Sequence, residues 1–236
     1  KENFAKMRVM RLEEIKKLNL LLRYYILVMT TAAGSGHPTS GLSAVELTSV
    51  LFFKHFKFDL DNPNNPNNDR LIFSKGHATP LFYSLFAVAG KLSEADLMKY
   101  RTMGSNLQGH PMPDFPYTEV PTGSLGQGLS VGVGEALAMR LSKISSKVYV
   151  LLGDGEMAEG SVWEAIQSAS YYKLSNLIAI LDVNAFGQSQ GTMLGHDIET
   201  YAKRVEAFGW NVIVVQDGHN LEEIDKALAS LKNSLK

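Results

Sequence analysis

The 236-residue chain contains no cysteine, which excludes structural disulfides, thiolate nucleophiles and cysteine-ligated metal sites. That absence fits a reducing compartment, and a cytoplasmic location is expected. It also has no excess charge of either sign: 23 Lys and Arg stand against 24 Asp and Glu, a formal net charge of −1. The basic footprint that nucleic acid or an anionic membrane demands is missing, so neither is expected as a partner. Long apolar runs are missing too. The most apolar early stretch, "LNLLLRYYILVMTTAAG", carries an arginine and ends in threonines, which fits neither a bilayer span nor a signal peptide. No repeat, low-complexity tract or composition shift marks a domain boundary. The first residue is Lys1 rather than Met, so the start is expected to be trimmed.

What is present is an ordinary globular composition, 45% hydrophobic and 20% charged. Apolar residues at three- and four-residue spacing predict a helix over 11–33. "GSGHPTSG" (34–41) breaks it, with Pro38 expected to stop helix continuation. A second helix is expected over 43–57, with Ser43 as its cap and Glu46 three positions on. An Asn/Pro loop over 59–70 leads to a short strand at 71–74, then helices at 77–90 and 93–101. A loop over 102–122 holds Pro111, Pro113, Pro116 and Pro121, and "GSLGQG" (123–128) opens a helix rich in small residues. Strands follow at 147–152, 176–183 and 211–215, separated by helices at 159–173 and 197–208, with a last helix at 220–235. Wholly apolar strands alternating with amphipathic helices predict an α/β fold: one doubly wound domain over 1–236, its mostly parallel sheet covered by helices on both faces.

Ligands in such sheets sit at the carboxyl ends of strands. There the strand at 147–152 stops at Gly153-Asp154-Gly155, and the next stops at Asp182 and Asn184. If the two strands are neighbours, one carboxylate and one amide oxygen meet at one edge. That pairing suits a hard cation such as Mg²⁺ completed by a phosphate. "GSLGQG" adds a glycine-rich helix start with exposed N–H groups. Taken singly, each piece also reads as an ordinary turn, or as a nucleotide phosphate site. Five of the six histidines, His37, His77, His110, His196 and His219, follow a glycine. Each alone reads as a satisfied loop histidine, and there is no HExxH spacing for zinc.

"GDGEMAEGSVWEAIQSASYYKLSNLIAILDVNAFGQS" resembles the diphosphate-binding motif of thiamine-diphosphate enzymes in the form found in transketolases. "TTAAGSGHPTSG", "NDRLIFSKGHATPLFY", "GHPMP" and "TGSLGQGLS" resemble the same family, in the same order, over almost the whole chain. The resemblance implies a thiamine-diphosphate-binding fold holding thiamine diphosphate with Mg²⁺ (or Ca²⁺). Asp154, Asn184 and the Phe186 carbonyl match metal-ligand positions. Gly123, Ser124, Leu125 and Gly155, with Ser40, His77 and Gln188, match cofactor-contact positions. His37 and His110 would face the reacting oxygens of a sugar phosphate, and His77 would lie near the cofactor, where imidazole suits proton transfer near neutral pH. Glu159 is assigned to the helix start or an intersubunit carboxylate contact. Trp163, Tyr171 and Tyr172 are assigned to core or interface packing.

The family would continue into a pyrimidine-binding domain and a C-terminal domain, neither of which is in this sequence, and its diphosphate domain itself would run past residue 236. The chain is therefore expected to be the N-terminal subunit of a split transketolase or a fragment of a longer chain, needing a pyrimidine-domain partner for two-carbon ketol transfer. A homodimer or a heterotetramer would follow, with small residues after "GSLGQG" and "GDGEMAEG" packing between subunits. The rivals are a 1-deoxyxylulose-5-phosphate synthase-like enzyme, a dihydroxyacetone synthase and a catalytically silent structural or regulatory homologue. "SKGHA" and "GHPMP" favour transketolase over the first. Intact His37, His77, His110, Asp154 and Asn184 argue against silence.

Overall fold

The computed structural model describes residues 9–231. Helix α1, Leu12–Ala33, buries Ile15, Leu22, Ile26 and Met29 and ends on Gly34 in the left-handed conformation. The second helix expected from sequence is three pieces: α2 (Pro38–Ser43), α3 (Val45–Val50) and a π-helical turn over Leu51–His55. Pro38 starts α2 rather than stopping a helix. Its missing N–H is no loss in a first turn, where that group has no partner anyway. Ser43 is not a cap either, because its hydroxyl donates to Asp182 Oδ1 at 2.8 Å, across the fold.

Strand β1 (Arg70–Phe73) leads through a 3-10 turn (Gly76–Ala78) into α4 (Thr79–Val88), and α5 is a single capped turn, Glu94–Leu97. Then come α6 (Gln127–Leu141), β2 (Val148–Gly153), a 3-10 turn (Gly155–Ala158), α7 (Gly160–Tyr171), β3 (Leu177–Asp182), α8 (Ile198–Ala207) and α9 (Leu221–Ser230). The sheet is parallel, in the order β1-β2-β3. Alternate side chains enter two separate cores. Leu71, Phe73, Tyr149 and Leu151 face α1, α3, α4 and α9, whereas Ile72, Val148, Val150 and Leu152 face α6 and α7. Helices thus cover both faces, as the apolar strands require.

Residues 211–215 are not a strand. They belong to no strand of the sheet, with Ile213 40% and Val214 41% exposed, and Val215 packs against the first core. A short run of branched apolar residues carries no periodicity that separates a paired strand from a covered loop. The proline-bearing loop over 102–122 is anchored by aromatic contacts: Phe115 is 3% exposed and packs edge-on to Tyr83 at 5.1 Å, and Tyr117 stacks on Phe86 at 4.3 Å.

Some small residues expected between subunits serve the interior instead. A Cβ on Gly132 of α6 would come within 2.7 Å of Val150, and one on Gly128 within 2.5 Å of Ser74, whereas one on Gly134 would meet nothing. Trp163 joins the second core, but Tyr171 and Tyr172 are exposed. Nearby, Glu135 keeps one carboxylate oxygen buried without a partner among the described residues. Burial, then the charge of Glu119, raises its pKa to about 7, against the pull of Arg70.

Helix α6 offers two tests of this packing. Gly132→Ala is expected to cost about 1–3 kcal/mol in urea denaturation by overpacking, while Gly134→Ala stabilises by roughly 0.5–1 kcal/mol. Because the folded pKa of Glu135 lies above its ordinary 4.5, the fold loses stability as pH rises from 4.5 to 7 and is level beyond. Glu135→Gln should match the parent near pH 4.5 and exceed it by roughly 1–2 kcal/mol at pH 8, allowing for partial solvent screening. An offset that is the same at both pH values would contradict the assignment.

Candidate functional site

The strand ends bring the acidic residues together by register. Gly153 of β2 pairs with Asp182 of β3, so Asp154 and Asn184 leave adjacent strands on the same edge. Asp154 is 4% exposed. Its Oδ2 accepts the Ala185 N–H at 2.8 Å and the Thr192 hydroxyl at 2.9 Å, and its Oδ1 accepts the Gly155 N–H at 3.0 Å. The carboxylate thereby fastens a hairpin over 185–192, in which Thr192 N–H also bonds the Ala185 carbonyl at 3.0 Å. Ala185 is held at φ +64°, a left-handed conformation that a residue with a Cβ adopts only when its surroundings impose it.

No group of three or more His, Cys, Asp or Glu side chains able to hold a metal occurs among the described residues. The expected ligand set needs no such group, since it has one carboxylate, one side-chain amide oxygen and one main-chain carbonyl. Asp154 Oδ1 and Asn184 Oδ1, which accepts the Phe186 N–H at 2.9 Å, each keep a lone pair free. These are hard oxygen donors on adjacent segments, and they fit Mg²⁺. Phe186 is 77% exposed, so its side chain takes no part in this grouping.

A second grouping surrounds the start of α4. His37, at the start of α2, and His77, in the 3-10 turn after β1, stand edge to face with ring centroids 5.4 Å apart. His110 packs over Gly123, where a Cβ would come within 2.8 Å of its ring. Gly76 permits an equally close approach, with its Cβ position 2.7 Å from the Gly123 nitrogen. The segment carrying His110 is pinned by bonds from Thr79 Oγ1 to the Gly109 carbonyl at 2.7 Å and from Tyr83 OH to the Gln108 carbonyl at 3.0 Å. Burial, reinforced by Lys75 and the other two imidazoles, pulls His77 down to about 4. Burial and Arg101 also lower His110. His77 is thus a neutral imidazole at pH 7, one nitrogen a donor and the other an acceptor.

Ser40, which follows His37 on α2, is buried, and its hydroxyl has no partner among the described residues. An orphaned buried hydroxyl at a ligand-facing edge is a group awaiting an acceptor. Ser124 and Gln188 are exposed, and no hydrogen bond ties either to the histidines or to Asp154. Leu125 is half-buried. His219 bonds Glu46 at 2.8 Å and His196 lies exposed in a loop, which leaves both outside the site. Glu46, expected only as a capping partner, is instead buried in a bidentate pair with Arg23, at 2.8 and 2.9 Å.

Between the two groupings lies an ion pair that the sequence does not announce. Lys75 Nζ sits 2.6 Å from Asp182 Oδ2, with the side chains 1% and 5% exposed. Lys75 also donates to the Ser40 carbonyl at 3.2 Å, and Asp182 accepts from Ser43. Asp182 was legible as a polar strand end, but nothing in the spacing around Lys75 foretells its burial. Glu156 is a second such residue. It is 1% exposed and accepts the N–H groups of Gly126 and Gly153 and the Ser74 hydroxyl. The start of α6 therefore presents fewer free N–H groups than its glycines suggest. Glu159 stands exposed at the N-cap of α7 and makes no side-chain cap bond.

Residues 16–236 match the family model described as "Transketolase, thiamine diphosphate binding domain". The chain belongs to the transketolase family. It is 49% identical to human transketolase over 233 residues, which are 98% of this chain and 37% of that protein. It is 38% identical over 199 residues to one subunit of the apulose-4-phosphate transketolase of Phocaeicola vulgatus, covering 84% of this chain and 70% of that subunit. The crystal structure of Campylobacter jejuni transketolase superposes with a TM-score of 0.87 at 36% identity, over 96% of this chain and 37% of that one. The chain thus spans little more than a third of the length of the full-size transketolases it matches. No helix among the described residues is long and apolar enough to cross a membrane.

The Lys75–Asp182 pair makes a direct prediction for this transketolase domain. Asp182→Ala strands a buried ammonium and should cost about 3–5 kcal/mol in denaturant unfolding. The double change Lys75→Met with Asp182→Leu removes both charges and should recover most of that loss. A double variant as unstable as the single one would show that packing, not charge, sets the cost.

Proposed function

We propose that this chain is a single diphosphate-binding domain whose enzyme moves a two-carbon ketol unit between sugar phosphates, using thiamine diphosphate with Mg²⁺ (or Ca²⁺). The observation that carries this reading is the meeting, at one sheet edge, of a half-free oxygen donor set at Asp154 and Asn184 with a half-buried, neutral His77 beside His37. Asp154, Asn184 and the Phe186 carbonyl would hold the metal. The backbone at Gly123, Ser124, Leu125 and Gly155 would lie against the cofactor, and the Ser40 hydroxyl, His77 and Gln188 would contact it. When bound, the thiazolium would supply the electron sink that carbon–carbon cleavage needs.

The remaining work falls to the side chains of this chain. A neutral His77 holds a hydrogen bond without adding charge. His37 and His110, on separate segments around it, would give and take protons at the donor's hydroxyl and carbonyl oxygens. The close glycine contacts at Gly76 and Gly123 bring the segments of His77 and His110 against each other. A pyrimidine domain, on a second chain or elsewhere in a longer one, would complete the site. The Phocaeicola vulgatus relative is itself named as one subunit of a transketolase, which supports the two-chain arrangement, with a dimer or heterotetramer as the assembly. A cytoplasmic enzyme of carbohydrate metabolism follows from the same reading.

Titration with thiamine diphosphate, followed by quenching of tryptophan fluorescence, tests it. Saturable binding that requires Mg²⁺ and disappears in Asp154→Ala is expected, first for the chain alone and then in the presence of a pyrimidine-domain partner. Metal-independent binding, or none even with that partner, would refute the reading in favour of a silent homologue. In the complete enzyme, His110→Ala should lower kcat by roughly 10²-fold while cofactor affinity holds. Equal losses in both would remove His110 from the chemistry.

A further inference from the structure

Glu156 lies two residues beyond Asp154, yet its carboxylate turns into the protein and joins three elements. Oε1 accepts the Gly126 N–H at 2.8 Å and the Ser74 hydroxyl, and Oε2 accepts the Gly153 N–H at 3.2 Å. Ser74 directly follows β1, Gly126 is the N-cap of α6, and Gly153 is the last residue of β2. The same turn grips Gly126 from its other side, because the Ser161 hydroxyl donates to the Gly126 carbonyl at 3.0 Å. Gly126 has φ +86°, and a Cβ there would strike Ser161 Oγ at 2.5 Å and Glu159 Cβ at 2.7 Å. Both hydrogen-bonding groups of this one residue are therefore claimed by the segment that begins at Asp154.

All three partners of the carboxylate are donors. Only a group that accepts at both oxygens satisfies them together, and a carboxylamide would turn an N–H₂ toward an N–H or O–H. A structural acid with no further duty has no need to reach two glycine-rich loops at once. We propose that Glu156 is a positioning residue that locks the 123–126 loop to the metal-binding turn at Asp154. The two segments that would receive the cofactor's diphosphate and its metal are then in register before it arrives. The carboxylate thereby takes the N–H of Gly126, the N-cap of α6. This inference rests on the cofactor reading above.

The test is the affinity for thiamine diphosphate with saturating Mg²⁺, measured by fluorescence quenching on the complete enzyme, for the parent, Glu156→Gln, Ser74→Ala and the double variant. Circular dichroism at the titration temperature identifies folded variants, and amide exchange follows Gly126. Glu156→Gln is expected to weaken binding roughly tenfold or more, with Gly126 exchanging faster in the cofactor-free protein. Ser74→Ala, a milder change at the same carboxylate, should weaken it several-fold, and the two changes should not add. A purely structural acid would lower Tm and leave the dissociation constant of folded protein unchanged, and that result overturns the proposal. If Glu156→Gln does not fold, an unaltered dissociation constant in Ser74→Ala overturns it equally. A parent that binds no cofactor would refute the cofactor reading and this role with it, whereas a binding parent with unaffected variants refutes only the role of Glu156.

Discussion

A lysine ammonium and an aspartate carboxylate 2.6 Å apart, both nearly closed to water, hold the carboxyl edge of the sheet together. Lys75 follows β1 and Asp182 ends β3, so the pair bridges over β2 and ties both outer strands to each other. Through Ser43 and the Ser40 carbonyl it also fixes α2, the short helix that His37 begins. Charges this deeply buried need both an opposite charge and further hydrogen bonds. Here the partners that meet them are the segments that carry the site.

Around that pair the site is assembled from turns rather than from regular elements. Each turn is fixed by a different device. The loop bearing His110 is anchored by Phe115 and Tyr117 in the aromatic core. The hairpin bearing Asn184 is held by Asp154 at the expense of a left-handed Ala185, and the start of α6 by Glu156. The Ser40 hydroxyl is the exception, a buried polar group with no hydrogen-bond partner among the described residues.

The strands β1, β2 and β3 were legible because wholly apolar runs between turn residues can only be buried on both faces. Their order put Asp154 and Asn184 side by side as the motif spacing required. The segment 211–215 misled for the same reason that the strands were legible, since its apolar run looks identical without neighbours. Pro38 and Ser43 misled because a proline opens a helix as readily as it closes one, and because a serine's distant partner leaves no local trace. The nearness of His37 to His77 followed from resemblance alone, as their 40-residue separation carries no periodic signal. Lys75 and Glu156 were the hardest to find. A charged residue in a turn is ordinarily solvated, and only the tertiary fold reveals one that is enclosed.

Among the described residues, strand β3 pairs with β2 on one side only, and residues 211–215 form no strand beside it. Its outer edge therefore presents main-chain N–H and C=O groups along an apolar sequence, "LIAILD", which has no proline and whose one charge, Asp182, is engaged by Lys75 rather than set to blunt the edge. Handled by itself, the chain carries a ready template for strand-to-strand adhesion. Colloidal behaviour in isolation would then report on what normally shields that edge, as much as on the fold's own stability.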